Sequence, residues 1–160
     1  MTASALSTVE RSTLIRAPRN RVWQALTSIQ EFSKWFCVKD AEGEFTPGAR
    51  MRMVSTHPCG GGDSGQGEAF VVEVVKMEAP EVFSWRWQPG SKKPGEDTSE
   101  EPTTLVEFRL TEAEGGTLVT VTESGFDKLS LERRTRVFEQ NDKGWEIQLA
   151  SLARYAGEGA

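Results

Sequence analysis

The sequence predicts an α+β fold, a curved antiparallel sheet of six to seven strands around one long C-terminal helix. Three observations carry that expectation. Short runs with strand character follow one another from residue 50 to residue 124. Turn residues rather than crossover helices separate consecutive runs, which makes the pairing antiparallel. After Ser124-Gly125 a helical period returns, and an amphipathic helix of that length must bury its stripe on a sheet face.

The first strand is expected over Val9–Ile15, because Ala17-Pro18 then opens a helix. Proline suits the first helical turn, where its missing N–H would have no partner anyway. That helix runs to Thr27, with Val22, Trp23 and Leu26 on one face. Ser28 and Glu31 form a capping box for a second short helix carrying Phe32, Trp35 and Phe36. Thr46-Pro47-Gly48 has type II turn order. Strands are then read at Arg50–Thr56, Glu68–Met77, Val82–Trp87, Thr103–Thr111 and Thr117–Glu123, the last two joined by Glu114-Gly115-Gly116 as a tight hairpin. Two long loops interrupt the series: glycine-rich His57–Gly67 and acidic, proline-containing Gln88–Pro102. Ser130 is the N-cap of the final helix, with Glu132 in its first turn. Leu131, Phe138, Trp145, Leu149 and Leu152 form its stripe, and the helix ends near Tyr155 after ~39 Å. Gly144 inside it suggests a close approach or a bend.

The 160 residues are read as one domain over 9–156, preceded by a small, polar, flexible N-terminus, 1–8. A chain near this length buries roughly 68–70% of its unfolded surface. Only 37% of residues are hydrophobic, yet five are tryptophan and eight phenylalanine, so the apolar mass sits in few, large side chains. Nineteen Lys and Arg against 24 Asp and Glu leave a formal charge of −5, which argues against nucleic acid as a partner. No apolar run reaches the ~18 residues a membrane span needs. The opening MTASALSTVER has neither a basic start nor an apolar core, so no secretory signal is expected. With only two cysteines, Cys37 and Cys59, the expectation is reduced thiols in a cytoplasmic protein.

Period-two alternation assigns faces. Phe83, Trp85 and Trp87 share one face, with Ser84 and Arg86 opposite; Val106, Phe108 and Leu110 share another; Val119, Val121 and Glu123 a third. The large apolar sets should face the helix, which brings Glu123 with them near a strand end. Glu123 is then either a solvated rim residue or a polar anchor in an apolar pocket. The aromatic set Trp35, Phe36, Phe45, Phe70, Phe83, Trp85, Trp87, Phe108, Phe138 and Trp145 is either a filled core or the wall of a small-molecule cavity.

Catalytic and metal chemistry finds little support. His57 is the only histidine, and His57-Pro58-Cys59 supplies too few ligands for a structural zinc. It also lacks the orienting third group of a Cys–His nucleophile pair. Gly60-Gly61-Gly62 is followed by Asp63 and has no phosphate-binding lysine. Glu100-Glu101 reads as a solvated charge run. No catalytic residue, cofactor or metal is expected.

Longer motifs carry a resemblance. Glu10-Arg11, Ile15-Arg16-Ala17-Pro18, Val22-Trp23-Gln24-Ala25-Leu26-Thr27, Phe32 and Trp35-Phe36 resemble the start of SRPBCC (START-like) domains. Phe83-Ser84-Trp85-Arg86-Trp87, Thr104-Leu105-Val106-Glu107-Phe108, Val121-Thr122-Glu123-Ser124-Gly125-Phe126 and Asn141, Gly144-Trp145, Leu149, Leu152 are similar to one branch. That branch is the bacterial single-domain family resembling the activator of heat shock protein 90 ATPase. The resemblance covers Val9 to Tyr155. It implies a helix-grip fold with an elongated cavity between sheet and helix, where members of the wider superfamily bind lipids, sterols, polyketides or hormones, and some act as enzymes.

With the inner-face assignment, the resemblance makes Trp35, Phe36, Phe70, Phe83, Trp85, Trp87, Val106, Phe108, Val121, Glu123, Phe138, Trp145 and Leu149 the candidate cavity residues. The leading expectation is a small hydrophobic ligand (lipid, polyketide or aromatic metabolite) held by a monomer or homodimer. The alternatives are a co-chaperone-like module that contacts the chaperone through the acidic 95–101 loop or the outer sheet face, and a cyclase or hydrolase using Glu123 or His57 as acid or base.

Overall fold

A computed structural model describes residues 7–56, 69–89 and 101–158. Seven strands, β1 (Thr8–Ile15), β2 (Val38–Lys39), β3 (Arg50–Ser55), β4 (Ala69–Glu78), β5 (Val82–Trp87), β6 (Thr104–Ala113) and β7 (Gly116–Ser124), form one sheet. Helices α1 (Arg19–Thr27) and α2 (Ile29–Phe36) follow β1, a 3-10 turn spans Phe126–Lys128, and α3 covers Leu131–Glu158. The sheet is antiparallel throughout, in the order β1-β7-β6-β5-β4-β3-β2. A register shift between Val74 and Lys76 marks an irregularity in β4, and such bulges bend a strand and increase its twist. The curved sheet with α3 laid across its concave side is the helix-grip fold.

Local chemistry explains the element boundaries. Pro18 precedes α1 in extended conformation, and Ser28 caps α2 by accepting from the Glu31 N–H. Gly48, at a φ of 87°, takes the third position of the turn closed by Ala49 N–H to Thr46 O at 2.9 Å. Glu114-Gly115 forms the two-residue connection between β6 and β7, where Ala113 pairs with Gly116. Strand β2 has only two residues, too short to show any periodicity.

Helix α3 is ~42 Å long, and polar contacts attach it along its length. Ser151 Oγ donates to Trp35 O at 2.7 Å, and Gln148 Nε2 to Phe36 O at 3.2 Å. These two carbonyls end α2 and have no acceptor role within it, so α3 satisfies what α2 leaves open. Arg11 on β1 pairs with Asp142 at 2.9 and 3.0 Å.

Several expectations are corrected. Leu131, read as the start of the buried stripe, is 79% exposed, because the first helical residue projects where no element covers it. Trp145, Leu149 and Leu152 of the expected stripe are buried, Phe138 is half-buried, and Val137 and Ala156 complete the apolar face. Ser84, assigned to the outer face, is buried, as are its neighbours from Val82 to Trp85. Cys37 is disulfide-bonded rather than a reduced thiol; Cys59 lies outside the described residues. Glu101, read as part of a solvated run, has a side chain only 9% exposed and binds Arg133, whose Nη2 donates to it at 2.8 Å. His57 and residues 95–100 also lie outside the described residues.

Gly144 marks no close approach: a Cβ built there meets nothing within 4 Å. Gly144→Ala is therefore expected to stabilise the protein by up to about 1 kcal/mol through helix propensity alone, which urea denaturation would measure.

Candidate ligand-binding site

Strand alternation and helix spacing aim one set of rings into one volume. Phe83 and Trp85 point inward from β5, with Phe108 and Val106 opposite them on β6. The next strand continues the surface, pairing Val121 with Phe108 and Glu123 with Val106. From α2, Phe32, Trp35 and Phe36 project at i, i+3 and i+4. From α3 come Trp145 and Leu149, both buried.

Trp85 is the hub. Its ring centroid lies 5.4 Å from Phe108, 5.5 Å from Trp87, 5.6 Å from Phe83, 5.8 Å from Phe32, 6.1 Å from Phe36 and 6.3 Å from Trp145. Edge-to-face and tilted pairs predominate, as ring quadrupoles favour. Towards one end the rings become half-buried: Phe70 and Trp87 lie 5.7 Å apart, and each also touches Phe36.

Of the thirteen sequence-derived candidates, Trp35, Phe36, Phe83, Trp85, Val106, Phe108, Val121, Glu123, Trp145 and Leu149 are buried. Phe70, Trp87 and Phe138 are half-buried. Ring contacts join every aromatic candidate except Phe138, which packs edge-on against Phe126 at 5.3 Å beside the 3-10 turn.

Glu123 is 0% exposed, so it is not a solvated rim residue. Its Oε2 accepts from Trp87 Nε1 at 2.8 Å and from Thr104 Oγ1 at 2.5 Å. Its Oε1 accepts from Asn141 Nδ2 and Trp145 Nε1, both at 2.8 Å. A carboxylate offers about four lone-pair positions, and these donors use them all. Burial raises the Glu123 pKa above its ordinary value, while the bonds from Thr104, Trp145, Trp87 and Asn141 oppose that rise. The residue ties β5, β6 and β7 to α3. Wholly buried and with both oxygens engaged by protein donors, it presents no open oxygen to a substrate, which weighs against a role as general acid or base.

Two buried polar atoms have no hydrogen-bond partner at this site. One is Trp85 Nε1, on the hub ring; the other is Gln148 Oε1, whose amide nitrogen is held by Phe36 O. The other indoles of the cluster are paired, Trp35 with Ala25 O at 2.8 Å and Trp87 and Trp145 with Glu123.

Thr104, Asn141, Gln148 and Phe32 belong to the site without having been singled out for it. Phe32 could have been found, since it shares the helical face of Trp35 and Phe36. Thr104 and Asn141 fall in the motifs that carry the family resemblance, but the sequence does not show the role of any of the three polar residues, because that role depends on which strand or helix lies opposite.

Comparison with known proteins places this geometry. A family model described as activator of Hsp90 ATPase homolog 1-like protein matches residues 16–157. A crystal structure of a protein from Mesorhizobium loti is similar over 96% of this chain and 98% of its own, at 21% identity and a TM-score of 0.73. The Aha1 dimer from Colwellia psychrerythraea, solved in solution, is similar over 95% of this chain and 97% of its own, at 19% identity and a TM-score of 0.69. DynU16, from the dynemicin biosynthetic locus, is 26% identical with a TM-score of 0.69 over 96% of this chain, which spans 48% of DynU16. None of the curated proteins compared matches the chain.

Proposed function

The chain belongs to the family of activator of Hsp90 ATPase homolog 1-like proteins, and on that premise we propose that it binds a small apolar ligand between the sheet and α3. The observation that carries this reading is the ring cluster around Trp85, which runs from half-buried Phe70 and Trp87 inward through Phe36. Flat, apolar, edge-packed surfaces suit an aromatic or polycyclic guest, because rings can separate along their faces and re-pack on a third ring. The origin of DynU16 in a biosynthetic locus supports a small-molecule occupant. Among the described residues no helix is long and apolar enough to cross a membrane.

Thermal unfolding and native mass spectrometry with a fatty acid, a sterol and a polycyclic ketone test the reading. A ligand present at 100 times its Kd adds about 2.7 kcal/mol of stability, an expected rise of roughly 5–10 °C in Tm for a chain of this size. No shift and no retained mass with any of the three would overturn it. The family's description favours a second reading, stimulation of the Hsp90 ATPase. An ATPase rate unchanged by a molar excess of this protein would remove that reading.

A further inference from the structure

We propose that the Trp85 indole N–H is the polar anchor of the ligand site, and that the ligand presents to it a neutral oxygen acceptor, a ketone or hydroxyl, on an aromatic or polycyclic body. The inference rests on the apolar-ligand reading above and gives it chemical content. Trp85 is wholly buried, yet its Nε1 has no acceptor. Buried polar groups are nearly always paired, and one left open costs the folded chain its full desolvation penalty. The indoles packed around it follow that rule: those of Trp35, Trp87 and Trp145 all donate at 2.8 Å. The exception is the ring at the centre of the cluster.

Position adds to the argument. Phe36, 6.1 Å from Trp85, also touches both rings of the half-buried pair Phe70 and Trp87, and Trp87 itself lies 5.5 Å from Trp85. A guest entering at that half-buried end and displacing the Phe36 ring meets Trp85 next. The second open valence, Gln148 Oε1, belongs to the amide that holds Phe36 O. A donor on a ring that touches Phe36 and an acceptor on the amide bonded to the Phe36 carbonyl are thus both left open. An ammonium would meet a donor at Trp85, and a carboxylate would lack a counter-charge beside the Glu123 carboxyl that Trp87 and Trp145 bind. A neutral oxygen meets neither penalty.

Two probes of matched shape separate the hydrogen bond from the packing: 2-acetylnaphthalene, and 2-isopropenylnaphthalene, in which a methylene replaces the ketone oxygen. Calorimetry on the wild-type protein is expected to give the ketone about tenfold tighter binding, the effect of one buried hydrogen bond. Trp85→Phe keeps an aromatic side chain and removes the donor, and should bring the two affinities together. In the wild type, the assigned Trp85 indole proton should move downfield with the ketone and stay with the alkene. That readout decides the matter even if the variant fails to fold. Equal binding of both probes by the wild type would overturn the anchor and leave the apolar-ligand reading standing. So would a ketone preference that survives in Trp85→Phe. If neither probe binds, the anchor proposal falls, and the apolar-ligand reading is decided by the fatty acid, sterol and polycyclic ketone.

Discussion

Glu123→Ala is expected to lower stability by about 4–5 kcal/mol, among the largest effects a single substitution produces. The reason is not the loss of a charge but the orphaning of its partners. Trp87 Nε1, Thr104 Oγ1, Asn141 Nδ2 and Trp145 Nε1 all direct hydrogen atoms at this carboxylate. Each buried donor left open costs about 1–3 kcal/mol, and the costs overlap because the four share one site. Glu123→Gln should cost less, about 2 kcal/mol, the penalty of one or two open donors. Its oxygen can keep Asn141 and Trp145, and Thr104 can turn to accept from the amide. Only the Trp87 indole then faces a second N–H. Urea titrations followed by tryptophan emission would rank the two; equal stability of all three proteins would contradict the network.

The same residue sets a pH dependence. Burial raises the Glu123 pKa above 4.5, so between the unfolded and folded values the native state binds the extra proton. Its contribution to stability is complete below about pH 4.5 and falls as pH rises to the folded value, then levels off. Protonation need not break the network, since the new O–H can donate to Thr104, whose hydroxyl then accepts. Glu123→Gln should flatten that part of the stability profile, and the difference between the two curves isolates the residue.

Gly116→Ala is the second large effect, expected to exceed about 4 kcal/mol or to prevent folding. A Cβ at Gly116 would lie 2.0 Å from Ile15 O and 2.9 Å from the Ile15 carbonyl carbon, at a φ of 154°. Both obstacles are backbone, at the end of β1, where Thr117 Oγ1 also donates to Ala17 O at 2.8 Å. Neither can move without unpairing β1 from β7. Gly115→Ala next door meets nothing within 4 Å and carries only the strain of φ 87°, so about 1 kcal/mol is expected. Circular dichroism melts of the pair test the contrast; similar losses would show that turn strain, not the approach of β1, governs the site.

Adjacent glycines with such different demands show what a sequence can and cannot convey. Glu114-Gly115-Gly116 announces a hairpin, and the hairpin forms. That the second glycine lies against Ile15 depends on β1, a hundred residues earlier, having become the neighbour of β7. Alternation placed Phe83, Trp85, Phe108, Val121 and Glu123 on the inner face because period two is a property of the strand itself. The capping residue Ser28 and the Gly48 turn were legible for the same reason, since their bonding partners lie within three residues.

The fate of each side chain on that face was not local. Leu131 continues the helical stripe but has nothing to pack against, and Phe138 turns to Phe126 instead of the central rings. Glu123 could be assigned a face, but not an environment: its donors arrive from β5, β6 and α3, and only their convergence turns a buried acid into a satisfied one. Trp85 differs from Trp145 by the presence of an acceptor, which no residue adjacent to either one reveals. The longer elements, their order and the alternation of their faces follow from the chain alone, because backbone geometry and side-chain period act over a few residues; two-residue β2 and the three-residue 3-10 turn are too short to show a period. The tertiary structure alone decided which polar atoms are paired, because a hydrogen bond needs its partner within about 3 Å and those partners come from elements distant in the chain.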